Sequence, residues 1–336
     1  MQAHTKDHGS RDLPGPYGRH LPDPKWPNGA HLALSFVVNY EEGGEHTLLN
    51  GDAHSEAFLT ENGATGTTRP SRTLGVESAY EYGSHRGFWR ILDLFEKQGL
   101  SFTCWAIGRA VELNPQVVDA MQSAGCEVAS HSYRWIDYND VPEAEERSHV
   151  HKTIDVISQA SKSSTPPLGW YTGRQSLQTR RIVYETYRER GLADQLYDND
   201  AYDEDLPYWV PCPSPAVAAN ASAQESDAPL LVLPYTLDTN DMKFAQTPGF
   251  ATSEHFFTYL RDAFDVLYEE GKSGSPRMMT VGLHCRVIGR PGRFAGLLRF
   301  IEYVKKKERV WITTRRDIAA HWRTNHPPPS LPTSDA

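Results

Sequence analysis

Two adjacent glutamates, Glu41 and Glu42, close the apolar run of FVVNYEEGGE, and Gly43 and Gly44 follow at once. Side-by-side carboxylates can share a proton or be driven apart in pKa, which leaves one ionised and able to accept a proton from water. They can also ligate a divalent ion or simply begin a solvated loop. The two glycines favour a crowded site, because they permit close backbone approach. Four further apolar runs end on groups of similar chemistry. EVASH ends on His131 within HSYRW, which continues to Trp135; GWYTGR brings Tyr171 and Arg174; PYTLDTND brings Asp238 and Asp241; GLHCR brings His284 and Arg286. Taken singly, each has an ordinary structural reading: a hydrogen-bonded histidine, an ion-paired arginine, a core tryptophan, an aspartate capping a turn. Taken together they are the equipment for hydrolysis, with a base, an acid and cations for an oxyanion.

What must hold these groups is a series of short β-rich runs alternating with helix-like segments. Strands are expected over 31–40, 101–108, 127–131, 169–173, 230–238, 278–285 and 310–314. Helical spacing marks 84–99, 114–125, 142–162, 176–190, 253–271 and 292–307, and a final helix follows the last strand. Repeated β-α units imply a parallel sheet, and this many favour a barrel over an open sheet. In such folds reactive groups collect at the carboxyl ends of the strands, where all five clusters lie. The acid-rich segment YDNDAYDEDLPYW reads as a loop anchored by its rings, without the glycine and terminal glutamate of an EF-hand. The segment at 211–229 reads as a surface excursion.

Composition narrows the function classes. The 336 residues carry 43 acidic and 34 basic side chains, a formal charge of −9, which disfavours nucleic-acid binding. No apolar run is long enough to span a membrane, and the first residues lack the apolar core of a signal peptide, so cytoplasmic residence is expected. Cys104, Cys126, Cys212 and Cys285 show no metal-binding spacing and fit a reduced protein. The expected organisation is a flexible tail over 1–20, a single catalytic domain over 21–326 and a disordered tail over 327–336.

The order of the strand-end motifs resembles the polysaccharide deacetylase family. In that family an Asp-Asp pair supplies a base and a metal ligand, and His-x-x-x-His supplies two more ligands. Here the corresponding residues are Glu41-Glu42 and His131 to Trp135, followed by Asp238-Thr-Asn-Asp241 and Leu283-His284. An indole nitrogen has no free lone pair, so Trp135 removes a ligand, and no tight catalytic metal is expected; a weak divalent ion at Glu42 and His131 stays open. FVVNYEEGGE, SHSYRWIDY, GWYTGRQS and GLHCRVIGRPGR are similar to the family's metal-independent allantoinase branch.

The resemblance implies a distorted (β/α) barrel, water-driven opening of allantoin to allantoate, a small-molecule substrate and a homo-oligomer. On this reading Glu41 is the base and Glu42 orients water or a ring N–H. His131 and His284 are acid candidates, with Asp238 and Asp241 available to orient an imidazole. Trp135, Tyr171, Arg174, Asp241 and Arg286 bind substrate, and Arg174 or backbone amides stabilise the oxyanion. Two alternatives stand beside it: an N-acetyl chitooligosaccharide deacetylase, and an inactive binding protein on the same barrel.

Overall fold

The computed structural model describes residues 13–61, 70–211, 213 and 228–328. Residues 1–12 and 329–336 of the expected tails, Cys212, and 214–227 of the 211–229 loop lie outside the described residues.

Among the described residues one sheet contains β1 (Leu32–Tyr40), β2 (Thr103–Ala106), β3 (Glu127–Ser130), β4 (Gly169–Trp170), β5 (Tyr197–Asp198), β6 (Tyr208–Val210), β7 (Leu230–Val232), β8 (Arg277–His284) and β9 (Val310–Ile312). The ladder runs β6-β7-β5-β4-β3-β2-β1-β8, parallel except where β6 meets β7. β8 pairs along nearly all of β1, so β9 and β2 share the other edge, at its start and its end respectively. With neighbours on both edges and layers on both faces, all nine β1 residues are buried, which is why it reads as a largely apolar run interrupted only by Ser35 and Asn39. Beyond β7 the chain returns to β8 through a single parallel bridge from Asn240 to Gly282. The result is the expected distorted barrel in incomplete form: a curled sheet that stops short of a full ladder.

The helices between strands are α1 (Leu74–Tyr82), α2 (Phe88–Gln98), α3 (Gly108–Leu113), α4 (Gln116–Ser123), α5 (Glu143–Ala160), α6 (Thr179–Glu189), α7 (Ser253–Lys272), α8 (Cys285–Ile288), α9 (Pro291–Val304) and α10 (Arg315–Asn325). α2 buries Phe88, Ile91, Leu92 and Phe95 on one stripe and ends at Gly99 in the left-handed region. Phe36 of β1 meets Phe95 and Phe300 edge-on at 5.2 and 6.2 Å, joining sheet to helices. α1 was not expected. It buries only Val76 and Tyr80 and runs into α2 through a π-helical turn over Gly83–Gly87, so its apolar periodicity is weak. β5, β6 and α3 were also missed. The two strands are too short to alternate visibly, and each contains or adjoins a polar loop.

At the barrel axis lies Arg315, fully buried. Its Nε donates to Asn199 Oδ1 (2.6 Å), Nη1 to Thr280 Oγ1 (2.5 Å), and Nη2 to the carbonyls of Leu233 (2.6 Å) and Pro234 (2.8 Å). Its amide donates to Thr103 Oγ1 at 2.8 Å. One guanidinium thus ties β8 to the chain after β5 and after β7, where the ladder is incomplete. Arg315→Met strands those buried acceptors, each worth about 1 kcal/mol or more. Urea unfolding is expected to show a loss of at least about 3 kcal/mol, with a lower midpoint and an unchanged slope.

Candidate active site

Glu41 leaves the end of β1 into a tight turn in which the Gly44 amide donates to the Glu41 carbonyl at 2.8 Å. The turn needs Gly43, whose φ of 105° is open only to glycine and whose Cβ would meet Leu113 at 2.6 Å. The segment after β3 clamps this turn. Arg134 donates to the carbonyls of Gly44 and Glu45, both at 3.1 Å, and pairs with Asp52 at 2.5 Å. The Trp135 amide donates to Gly44 O at 2.9 Å. His131 and His284 stand at the ends of β3 and β8. Pairing of Asn39 with His284 carries Glu41 and Arg286 forward side by side.

These placements converge on one carboxylate. Glu41 Oε2 accepts from Arg286 Nη1 at 2.7 Å. Its Oε1 lies 3.2 Å from His131 Nε2 and 3.5 Å from His284 Nε2, without hydrogen-bond alignment, and is a buried acceptor with no partner. His284 Nδ1 meets Asp241 Oδ1 at 2.6 Å, while Asp241 Oδ2 accepts from the amides of His284 (2.8 Å) and Ile288 (3.0 Å). Burial would raise the Glu41 carboxyl, but Arg286, then His284 and His131, hold it well below the usual carboxylate range. Burial opposes protonation of His284, yet Glu41 and Asp241 outweigh it and lift the imidazole to about 9. His131 goes the other way: burial lowers it despite Glu41, so it is neutral. An ionised carboxylate, a charged imidazole and a neutral imidazole therefore share one pocket.

The pocket holds about 330 Å³ and is lined by Glu41, His131, His284, Trp135, Tyr171 and Arg174, with Asn39, Phe58, Leu59, Tyr202, Tyr235 and others around them. Tyr171 stacks on Trp105 at 3.8 Å and shares a hydrogen bond with Tyr202 at 2.9 Å. Four expected site residues stand elsewhere. Glu42 does not line the cavity: its Oε2 accepts from the Glu41 amide at 3.1 Å, and its carboxyl packs where a Cβ on Gly83 would lie 2.2 Å from Oε1. Burial raises it to about 7, with Arg286 pulling down and Glu41 pushing up. Asp238 is exposed and accepts from Tyr259 at 3.0 Å, so Asp241, not Asp238, orients the imidazole. Asp241 and Arg286 sit behind His284 and Glu41 and position them, in place of the substrate contact expected of them. Phe58, Leu59 and Tyr235 were not singled out from sequence; Tyr202 lay in a segment read as a loop.

The donor set does not fit the metal site of the resembled family. Trp135 offers no lone pair. Glu42 does not line the cavity that His131 lines, and Arg286 already occupies one oxygen of Glu41. Among the described residues no group of three or more His, Cys, Asp or Glu side chains is placed to hold a metal ion. The described cysteines Cys104, Cys126 and Cys285 are free and buried. No helix of the described residues is long and apolar enough to cross a membrane.

Comparison with known proteins gives consistent results. Residues 71–187 match the polysaccharide deacetylase family model. A Schizosaccharomyces pombe protein bearing a polysaccharide deacetylase name is 53% identical over 319 residues, covering 95% of this chain and 98% of that one. A crystal structure of a Pseudomonas aeruginosa PAO1 protein, also bearing a polysaccharide deacetylase name, superposes with a TM-score of 0.84 at 48% identity, covering 94% of this chain and 99% of that one. The crystal structure of Puue allantoinase superposes equally well, with a TM-score of 0.84 at 49% identity and coverage of 95% and 98%.

The raised His284 has a consequence for stability. Its folded pKa of about 9 lies above the ordinary 6.5, so its contribution is fully present below about 6.5 and is lost as pH rises through about 9. Denaturant titrations are expected to show stability declining across that window, and NMR to show the imidazole titrating near its top. Asp241→Asn should flatten the decline and lower the titration; an unchanged profile in that variant would refute the pairing.

Proposed function

The chain belongs to the polysaccharide deacetylase family, and within that family we propose that it is an allantoinase, hydrolysing the cyclic amide of allantoin to allantoate without an essential metal. The observation that carries this reading is the ion pair of Glu41 and Arg286, in a cavity where Trp135 stands in the place of an imidazole ligand. Hydrolysis of carbon–nitrogen bonds remains the family's chemistry; what differs is the source of the positive charge. A cavity of about 330 Å³ lies at the small end for ligand sites and suits one planar ring, whereas a sugar polymer needs a groove. The substantial identity to an allantoinase structure supports the same assignment.

The geometry supports the following steps. Water bound at the unpartnered Glu41 Oε1 lies beside His131, which orients it. Glu41 takes one proton as the oxygen attacks the ring carbonyl, forming a C–O bond. The imidazolium of His284 faces the developing oxyanion and then donates its Nε2 proton to the leaving ring nitrogen as the C–N bond breaks. The proton on Glu41 returns to His284 across their 3.5 Å separation, restoring the starting charges. Trp135 walls the cavity and excludes bulk water. A cytoplasmic homo-oligomer belongs to the same reading.

The second reading, an N-acetyl chitooligosaccharide deacetylase, is favoured by the names of the Schizosaccharomyces pombe and Pseudomonas aeruginosa relatives. One assay separates the two. Protein stripped with chelator is expected to release allantoate from allantoin at an undiminished rate, and to release no acetate from N-acetylglucosamine oligomers. Glu41→Gln should lower kcat by about 10²–10⁴-fold, the usual contribution of a positioned base. Acetate release that requires added zinc or cobalt would overturn the allantoinase reading, and turnover of neither substrate would point to an inactive binding protein.

A further inference from the structure

Arg174 lines the cavity directly, whereas Arg286, which also keeps one buried Nη2 without a partner, sits behind Glu41. Arg286 is committed to Glu41, but the nearest carboxylate to Arg174 is Glu56, whose Oε2 stands 3.8 Å from Nη1, beyond hydrogen-bond range. Its guanidinium lies over the Trp135 ring at 4.2 Å and over Phe58 at 5.1 Å, while the two rings stack on each other at 5.9 Å and 28°. Glu56 is itself pinned, because its Oε1 accepts from the amides of Ala57 and Phe58, both at 2.8 Å. Leu59 completes the segment in a left-handed conformation, φ 55°, that a branched side chain rarely adopts. Its carbonyl accepts from Arg286 Nε at 3.4 Å, so the strained strap is fastened to the catalytic ion pair. Held on three sides, Arg174 presents Nη2 as a buried donor with no partner in a cavity it lines. A buried guanidinium N–H without an acceptor is costly and calls for a ligand that supplies one.

We infer that Arg174, fixed by Glu56, Phe58 and Trp135, is a second subsite that binds the urea or amide carbonyl of a substituent outside the ring being opened. The inference rests on the proposed ring-opening activity and adds to it the residue that reads the exocyclic carbonyl of a substituted ring. The planar fork of Arg174 sits on two aromatic faces, so its orientation is set before the ligand arrives. The ring then occupies the space near Glu41 and His284, and the substituent extends towards Phe58.

The test compares allantoin, which carries an exocyclic urea, with unsubstituted hydantoin. Arg174→Gln is expected to lower kcat/KM for allantoin by about 10–100-fold, mainly through KM, as for loss of a hydrogen bond from a charged group, with less than about 3-fold change for hydantoin. Arg174→Lys, which keeps charge but not the fork, should recover only part of the loss. Should Arg174→Gln fold poorly, Phe58→Leu loosens the same stack and is expected to raise KM for allantoin more than for hydantoin. Methylurea binding, followed on the Trp135 indole N–H by NMR, reads the subsite without turnover and should vanish in Arg174→Gln. Equal losses on both ring substrates, or unaltered methylurea binding, would overturn the subsite. If the wild-type protein opens neither ring yet loses methylurea binding on substitution, the ring-opening activity fails and the subsite stands.

Discussion

Everything in the cavity is arranged around the buried pair of Glu41 and Arg286, 2.7 Å apart and almost without solvent contact. Two charges taken out of water are stable only if their geometry is good and their remaining valences are used. The parallel register of β1 with β8 supplies the geometry, since Asn39 faces His284 and each strand runs on to a charged residue. Arg286 makes further contacts with the Leu59 carbonyl and with the Tyr80 face at 4.2 Å, while its Nη2 stays buried without a partner. The carboxylate keeps one oxygen for the ion pair and presents the other to the cavity. On the proposed mechanism that division lets a single glutamate be both a structural anion and a base.

The same constraint explains why neighbouring acids take different roles. Glu41 has two cations within reach and stays ionised, whereas Glu42, turned towards Gly83, is 3.8 Å from Arg286 and is raised to about 7. A pair of carboxylates adjacent in sequence is thereby separated in space and in proton affinity. Asp241 repeats the principle on the imidazole side. It holds His284 by side chain and backbone, fixing the ring so that Nε2 faces Glu41. Where a divalent ion would otherwise supply positive charge, this chain sets a guanidinium and an imidazolium.

Much of this was legible from the sequence because strand ends announce themselves. Apolar runs that stop on Glu41, His131 and His284 placed all three at one rim, and the curled sheet delivers them there. Direction was not legible. Whether Glu42 or Glu41 enters the cavity depends on the turn at Gly43, and whether Asp238 or Asp241 reaches His284 depends on a short 3-10 turn; neither leaves a periodic signal. The tasks of Arg286 and Arg315 depend on contacts between residues far apart in the chain, which one sequence does not reveal. Phe58 and Leu59 lie in a loop where no pattern marks a cavity wall, and α1 was hidden by the scarcity of its buried positions.

On the proposed mechanism Arg286 does at Glu41 what a metal ion would do, and the acid limb of kcat/KM for metal-stripped protein measures this most directly. In Arg286→Met, Glu41 loses the first of the cations that hold it ionised, so its carboxyl is expected to rise and the limb to move to higher pH, with activity lost at pH values where the wild type still works. A limb that stays in place, with an undiminished plateau, would show that Arg286 does not supply that charge and would contradict the account.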